Sequence, residues 1–148
     1  METVPEGNQL EGSLDGAVTA LKVESVRERM ACLPQLVGLD CVLLEHAIYD
    51  SLRALSPEYG GGFWEYYRLS NGGFYMAPEH AASFRILCEG NGFTGTVSAQ
   101  AAGIIACAMA YSHLSFRAHG ERFARAYEKL SEFICLHPEA RAIRAALD

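Results

Sequence analysis

The sequence predicts one α+β domain, in which an antiparallel β-meander of about four strands, arranged as two hairpins, packs with about four helices. Two turn signals carry the strand prediction. Asn71-Gly72 separates two alternating, aromatic-rich runs, and Gly90-Asn91 separates two more. The helix prediction rests on apolar residues at three- and four-residue spacing on both sides of that region. A length of 148 residues fits one domain able to bury its own core.

Residues 1–18 read as a disordered tail. They hold Glu2, Glu6, Glu11 and Asp15, and little to bury. They contain no apolar stretch of the kind a signal peptide needs. Residues 19–148 form the domain. Residues 19–33 admit two readings: Val23, Val26 and Met30 recur at helical spacing, while Leu21 to Val26 suits a short strand. Pro34 and Gly38 end that segment. Asp40 is a candidate N-cap for a helix to about Ala54, with Leu43, Ala47, Ile48, Leu52 and Leu55 as its apolar stripe. Pro57 and the run Gly60-Gly61-Gly62 break it and lead into the strands.

As a two-residue type I′ turn, Asn71-Gly72 would pair Leu69 with Phe74, Arg68 with Tyr75 and Tyr67 with Met76. Alternation then puts Phe63, Tyr67, Leu69, Phe74 and Met76 on one face, and Trp64, Tyr66, Arg68 and Tyr75 on the other. The second hairpin turns Phe84, Ile86, Cys88, Phe93 and Val97 to one side. Arg85, Glu89, Thr94 and Thr96 go to the other, with Leu87 as the exception.

Ser98 is a good N-cap for a helix from Ala99 to about Leu114. That helix is apolar nearly all round, which predicts burial. Gly103 within it costs about 1 kcal/mol relative to Ala, a cost that close packing on the sheet would explain. A further helix from about His119 to Leu136 has Phe123, Tyr127, Leu130 and Ile134 as its core stripe and Glu121–Arg125 as an i,i+4 pair. Pro138 suits the first turn of a last helix ending near Leu147.

Composition narrows the function. With 18 acidic and 12 basic residues the net charge is −6. That weighs against a general nucleic-acid binder, so strong DNA binding is not expected. It is also too mild a charge, and too interspersed with Arg and Lys, for a protein that imitates DNA at phosphate density. The longest apolar run, Ala101 to Tyr111, falls short of the about 20 residues a membrane span needs. Cys32, Cys41, Cys88, Cys107 and Cys135 are odd in number and form no CxxC pair. They read as small buried hydrophobes in a reducing, cytoplasmic setting.

Chemistry-bearing motifs are scarce. No GxSxG, P-loop, GxGxxG or HExxH occurs. Asp50 lies at i+4 from His46, so the two could pair on one helix face as an acid–base couple, or simply sit in solvent. His80 follows Pro78 in a loop, and His113, His119 and His137 fall at helix ends, where the dipole and capping favour them. A Cys/His nucleophile pair assembled in space stays open. No catalytic residue, metal or cofactor is therefore expected. The unusual feature is the hairpin face of Trp64, Tyr66, Arg68 and Tyr75. Trp, Tyr and Arg dominate protein-binding hot spots, and Arg68 opposite Tyr75 would stack as a cation–π pair. The competing reading is a second core layer under a helix or the N-terminal segment. Stacking of single-stranded nucleic acid is a third.

The block from Tyr59 to Pro78, with Gly60-Gly61-Gly62-Phe63-Trp64 and Leu69-Ser70-Asn71-Gly72-Gly73-Phe74-Tyr75-Met76-Ala77-Pro78, closely resembles the signature of the ArdB/KlcA antirestriction family of plasmids and genomic islands. Further matches are Leu33-Pro34, Gly90-Asn91-Gly92-Phe93, Ser98 with Ala101-Ala102-Gly103-Ile104, and His137-Pro138-Glu139. The resemblance covers about residues 22–147. The chain departs from the pattern at Val37-Gly38, where the family usually has an aromatic before the glycine. The resemblance implies a non-enzymatic protein that protects incoming mobile DNA by inhibiting type I restriction. Its partner would be a type I restriction enzyme or an associated host protein. It brings no catalytic residues with it. The alternatives are a DNA-associated accessory protein of a mobile element and an unrecognised Cys/His hydrolase.

Overall fold

The computed structural model describes residues 17–79 and 83–148. All but the last two positions of the expected tail lie outside the described residues, as does His80. In chain order the elements are β1 (Ala20–Lys22), α1 (Val26–Val37), a 3-10 turn (Gly38–Asp40), α2 (Cys41–Leu55), β2 (Trp64–Leu69), β3 (Phe74–Pro78), β4 (Ser83–Cys88), β5 (Phe93–Ser98), α3 (Ala99–Ser115), α4 (Glu121–Ile134) and α5 (Ala140–Leu147).

The α+β class holds, but the strands fall into two antiparallel sheets, β1-β2-β3 and β4-β5, and not one meander. The reason lies on the outer edge of β3. There α3 stands where a fourth strand would pair. The Tyr111 hydroxyl donates to the Phe74 carbonyl at 2.6 Å, and Cys107 Sγ accepts from the Met76 N–H at 3.4 Å. Helix side chains thus satisfy the groups that an edge strand leaves open. Gly103 permits the approach: a Cβ there would lie 2.4 Å from the Met76 carbonyl oxygen and 2.5 Å from Ala77 Cα. α3 is accordingly buried on every side, with Ser98 capping it through the Ala101 N–H.

The ambiguous N-terminal segment contains both candidate elements. β1 adds to β2, with Leu21 opposite Arg68, and α1 follows with Ser25 as N-cap. Val26 and Met30 do not form a core stripe. They are 70% and 73% exposed, and Cys32, Leu33 and Val37 are buried instead. Pro34 does not end α1 but lies inside it. Gly38, at φ 68°, ends it, and its N–H bonds the Pro34 carbonyl. By composition Val26–Leu55 is long and apolar enough to cross a bilayer, but this break splits it into two helices that fold onto each other. α2 buries Leu44, Ile48, Leu52 and Leu55. Asp40 precedes it without a side-chain cap bond.

The β2–β3 register differs by one residue from the type I′ expectation. Arg68 pairs with Phe74, Tyr67 with Tyr75 and Tyr66 with Met76. The Gly72 N–H bonds the Leu69 carbonyl, and the Leu69 N–H bonds the Gly73 carbonyl, each at 2.9 Å. Gly72 is left-handed at φ 90°, whereas Asn71 is not. A type I′ turn needs both residues there; one left-handed glycine gives a three-residue turn with a glycine bulge. Asn71 has other bonds to make. Its Oδ1 accepts from the Gly73 N–H, while its Nδ2 donates to the Lys129 carbonyl and to Glu132. The one-residue shift moves Tyr75 to the face of Tyr67 and Leu69. In β4–β5 the register is the expected one, with Phe84 opposite Val97 and Cys88 opposite Phe93.

Candidate functional site

Trp64, Tyr66, Arg68 and Tyr75 do not share one outward face. Tyr75 is 1% exposed on the opposite side of the sheet. Its ring stacks on Tyr67 at 4.8 Å and on Phe133 at 5.5 Å, and its hydroxyl donates to Gln100. Burial pushes that hydroxyl's pKa well up. Trp64 is 3% exposed. Its indole N–H donates to the Tyr59 hydroxyl at 2.9 Å, and Tyr49 and Tyr59 meet it edge-on. Both rings are core. Tyr66 and Arg68 remain with Trp64, half-buried under α1. The Arg29 guanidinium lies 5.1 Å over the Tyr66 ring and donates to the Trp64 carbonyl, while Arg68 reaches the Glu28 carbonyl. The cation–π pair on this sheet is therefore Arg29–Tyr66, not Arg68–Tyr75.

Part of what α1 presents outward is apolar, beside the exposed Arg27, Glu28 and Gln35. Val26 and Met30 project from it, and Phe63, 78% exposed, stands beside them at the entrance to β2. With Tyr66 and Arg29 they line a concavity of about 310 Å³. Met30, Arg29 and Tyr66 continue into a neighbouring one with Val42, which is 61% exposed. Of the three residues that recur at helical spacing, Val23 is buried while Val26 and Met30 form a surface. Phe63 is not on the core face expected for it with Tyr67 and Leu69: its carbonyl accepts from the Glu79 N–H at the end of the β2–β3 ladder, and its ring lies in solvent.

Among the described residues the acid–base and nucleophile candidates do not assemble. Asp50 pairs with Arg53 at 2.9 Å and not with His46. Cys107 is buried among α3 and β3, and burial pushes its thiol up to about 12, far from a thiolate nucleophile. Cys135 departs from the expected burial: it is exposed and accepts from Arg144. Among the described residues no group of three His, Cys, Asp or Glu could hold a metal.

A second concavity, of about 400 Å³, lies between α1, α4 and the β2–β3 turn. Arg68, Arg122, Arg125 and Lys129 line it. The expected Glu121–Arg125 pair does not form among the described residues, whose ion pairs are Lys22–Glu65 and Arg53–Asp50. The spacing of Arg122, Arg125 and Lys129 along one face of α4 was the available sequence signal.

Several signature residues meet in space. The Glu139 carboxylate accepts from both the N–H and the hydroxyl of Ser98, at the N-terminus of α3. The Glu139 N–H in turn donates to His137 Nδ1 at 2.9 Å. Asn91 donates to the Ala145 and Ala146 carbonyls of α5, as Asn71 does to α4. Each hairpin turn is thereby tied to a C-terminal helix. The signature marks fold-building contacts at these positions.

Comparison with known proteins shows the family. A family model described as "Antirestriction protein" matches residues 57–148. The chain is 41% identical to an antirestriction protein KlcA of Escherichia coli over 128 residues, 82% of this chain and 88% of that one. It is 36% identical to the putative antirestriction protein YubI of Escherichia coli K12, covering 82% and 90%. A solved structure described as the KlcA and ArdB proteins superposes with a TM-score of 0.81 at 39% identity, over 88% of this chain and 95% of the other. Its description gives a novel fold and antirestriction activity against type I DNA restriction systems in vivo but not in vitro.

Proposed function

This chain belongs to the antirestriction protein family, and from that premise we propose that it protects incoming DNA by restraining type I restriction through a protein contact, without catalysis. The observation that carries the reading is the activity of the structurally similar protein in vivo but not in vitro. Such a difference is expected when a cellular protein, absent from the purified reaction, completes the inhibitory contact. The exposed patch of Val26, Met30 and Phe63, with Tyr66 and Arg29 at its floor, is the surface we assign to that host protein. A clustered apolar surface with an aromatic and an arginine has the chemistry of a binding hot spot. A net charge of −6 with basic residues interspersed supports a mechanism other than DNA mimicry. The pairing of Asp50 with Arg53 and the burial of Cys107 support a role without chemistry.

Plating efficiency of unmodified phage on a type I restricting host tests this directly. Expression of the chain is expected to raise plating towards that on a non-restricting host. Equal plating with and without the chain would remove the reading.

A further inference from the structure

Four cations converge on one cavity, and no carboxylate answers them. Arg122, Arg125 and Lys129 project from one face of α4, at i, i+3 and i+7, and Arg68 enters from β2. No Asp or Glu lines the cavity. Among the described residues none of the four joins an ion pair. Arg68 reaches the Glu28 carbonyl, at 3.4 Å, and the Cys32 side chain, neither of them a carboxylate, and Glu132, one turn beyond Glu128 on α4, is engaged by Asn71. Like charges spaced this way on a helix repel. In a chain with 18 acidic residues, their concentration in one place without an ion-pair partner is a feature that a bound anion would relieve.

The backbone around the cavity leaves room for the charged ends. A Cβ at Gly38 would lie 2.4 Å from Arg122 Nη1, and one at Gly72 would lie 3.1 Å from Lys129 Nζ. The floor is apolar, formed by Leu69 and Phe74. A volume of about 400 Å³ lies within the range of small-molecule sites.

We propose that this cavity binds a compact polyanion with adjacent phosphoryl groups, either a nucleoside triphosphate or an inorganic triphosphate. Three guanidinium forks and an ammonium match the several charges and paired oxygens of such a chain. A single carboxylate side chain would neutralise one of them. An extended nucleic-acid backbone would track a basic groove, whereas here the cations gather around one half-open concavity on an acidic protein. The site stands apart from the antirestriction contact, on the other side of α1's C-terminal half, and its test needs no restriction enzyme.

The test is titration calorimetry on the full chain at low salt, with ATP, inorganic triphosphate, a 5′-phosphorylated single-stranded oligonucleotide and an oligoglutamate peptide. Saturable 1:1 binding of ATP or triphosphate is expected. Equal binding of the two assigns recognition to the phosphate chain alone; tighter ATP binding adds the nucleoside on the apolar floor. The double variant Arg125→Gln, Lys129→Gln should weaken binding by at least about tenfold, while Arg141→Gln, on α5 and outside the cavity, should not. Arg122→Gln alone serves if the double variant melts early. The proposal is overturned if neither phosphate compound binds saturably. Binding that survives the cavity variants, or tighter binding of the oligonucleotide or the peptide, overturns it too.

Discussion

At the scale of single residues, two positions carry strong and opposite demands. Gly103 has given up helix propensity for contact. An alanine there would gain about 1 kcal/mol of propensity but drive its Cβ to 2.4 Å from the Met76 carbonyl. The obstructing atoms are backbone, so they cannot swing aside as a flexible side chain would. Overpacking of this kind costs about 1–3 kcal/mol or more, so Gly103→Ala should lower the urea midpoint, and an unchanged or higher midpoint would count against the packing described. His137 makes the pH-dependent demand. Burial holds its imidazole below the ordinary value of 6.5, against an upward pull from Glu139, and its Nδ1 must stay unprotonated to accept the Glu139 N–H. A folded pKa below the unfolded one means that its contribution is fully present above about pH 6.5 and is lost as pH falls through the folded value. Stability should therefore decline as pH drops below 6.5. That decline should be shallower in His137→Asn, whose amide oxygen can still accept and does not titrate. Parallel pH–stability curves for the two proteins would rule this out.

At the scale of elements, the hairpin turns are anchors as well as reversals. Asn71 holds Gly73, the Lys129 carbonyl and Glu132 at once, so the β2–β3 turn and α4 are fixed together. Asn71→Ala should cost about 1–3 kcal/mol, since it removes these bonds and frees the turn. In a double-mutant cycle Glu132→Ala should add less to it than it costs alone. Strict additivity of the two in thermal melts would show that the turn and helix are not coupled. The same residue explains how far the sequence could be read. Alternation and apolar spacing made both hairpins and the α2, α3 and α4 helices legible, and the β4–β5 pairing came out in register. The β2–β3 register did not, because Asn-Gly supports two turn geometries. The choice between them was made by bonds to α4, some sixty residues away in sequence. The split into two sheets was hidden for the same kind of reason: only the placement of Tyr111 and Cys107 on the edge of β3 forbids a continuous meander. At the candidate site, Trp64 and Tyr75 were legible as rings on alternating strands. Their burial was not, since it depends on Tyr49 of α2 and Tyr59 meeting one face of a small sheet and Phe133 of α4 meeting the other. The exposure of Met30 was not legible either, because helical spacing shows that a stripe exists and not which side of the helix meets the core.

At the scale of the whole molecule, the residues that hold the fold and the patch proposed to carry protection occupy different surfaces, so the two can be tested separately. The core gathers the Tyr49–Trp64–Tyr59 cluster on one side of β2–β3 and the Tyr67–Tyr75–Phe133 stack on the other. The apolar patch of Val26, Met30 and Phe63 lies outside both, exposed to solvent. Trp64→Ala opens a buried cavity and severs the bond to Tyr59, at a cost of about 3–5 kcal/mol. For a domain of ordinary marginal stability this is enough to lose the fold, and protection with it. Met30→Glu and Phe63→Ser change solvated side chains, whose replacement typically shifts stability by no more than about 0.5 kcal/mol. If a host protein docks on the patch, the pair should leave the melting temperature in place and abolish the gain in phage plating. The two measurements must be made on the same variants. Loss of protection together with loss of folding would make the patch structural, and full protection at full stability would place the contact elsewhere on the chain. Folded but unprotective is the one combination the docking reading allows. It follows because the apolar area that would bind a partner is area the fold has already done without.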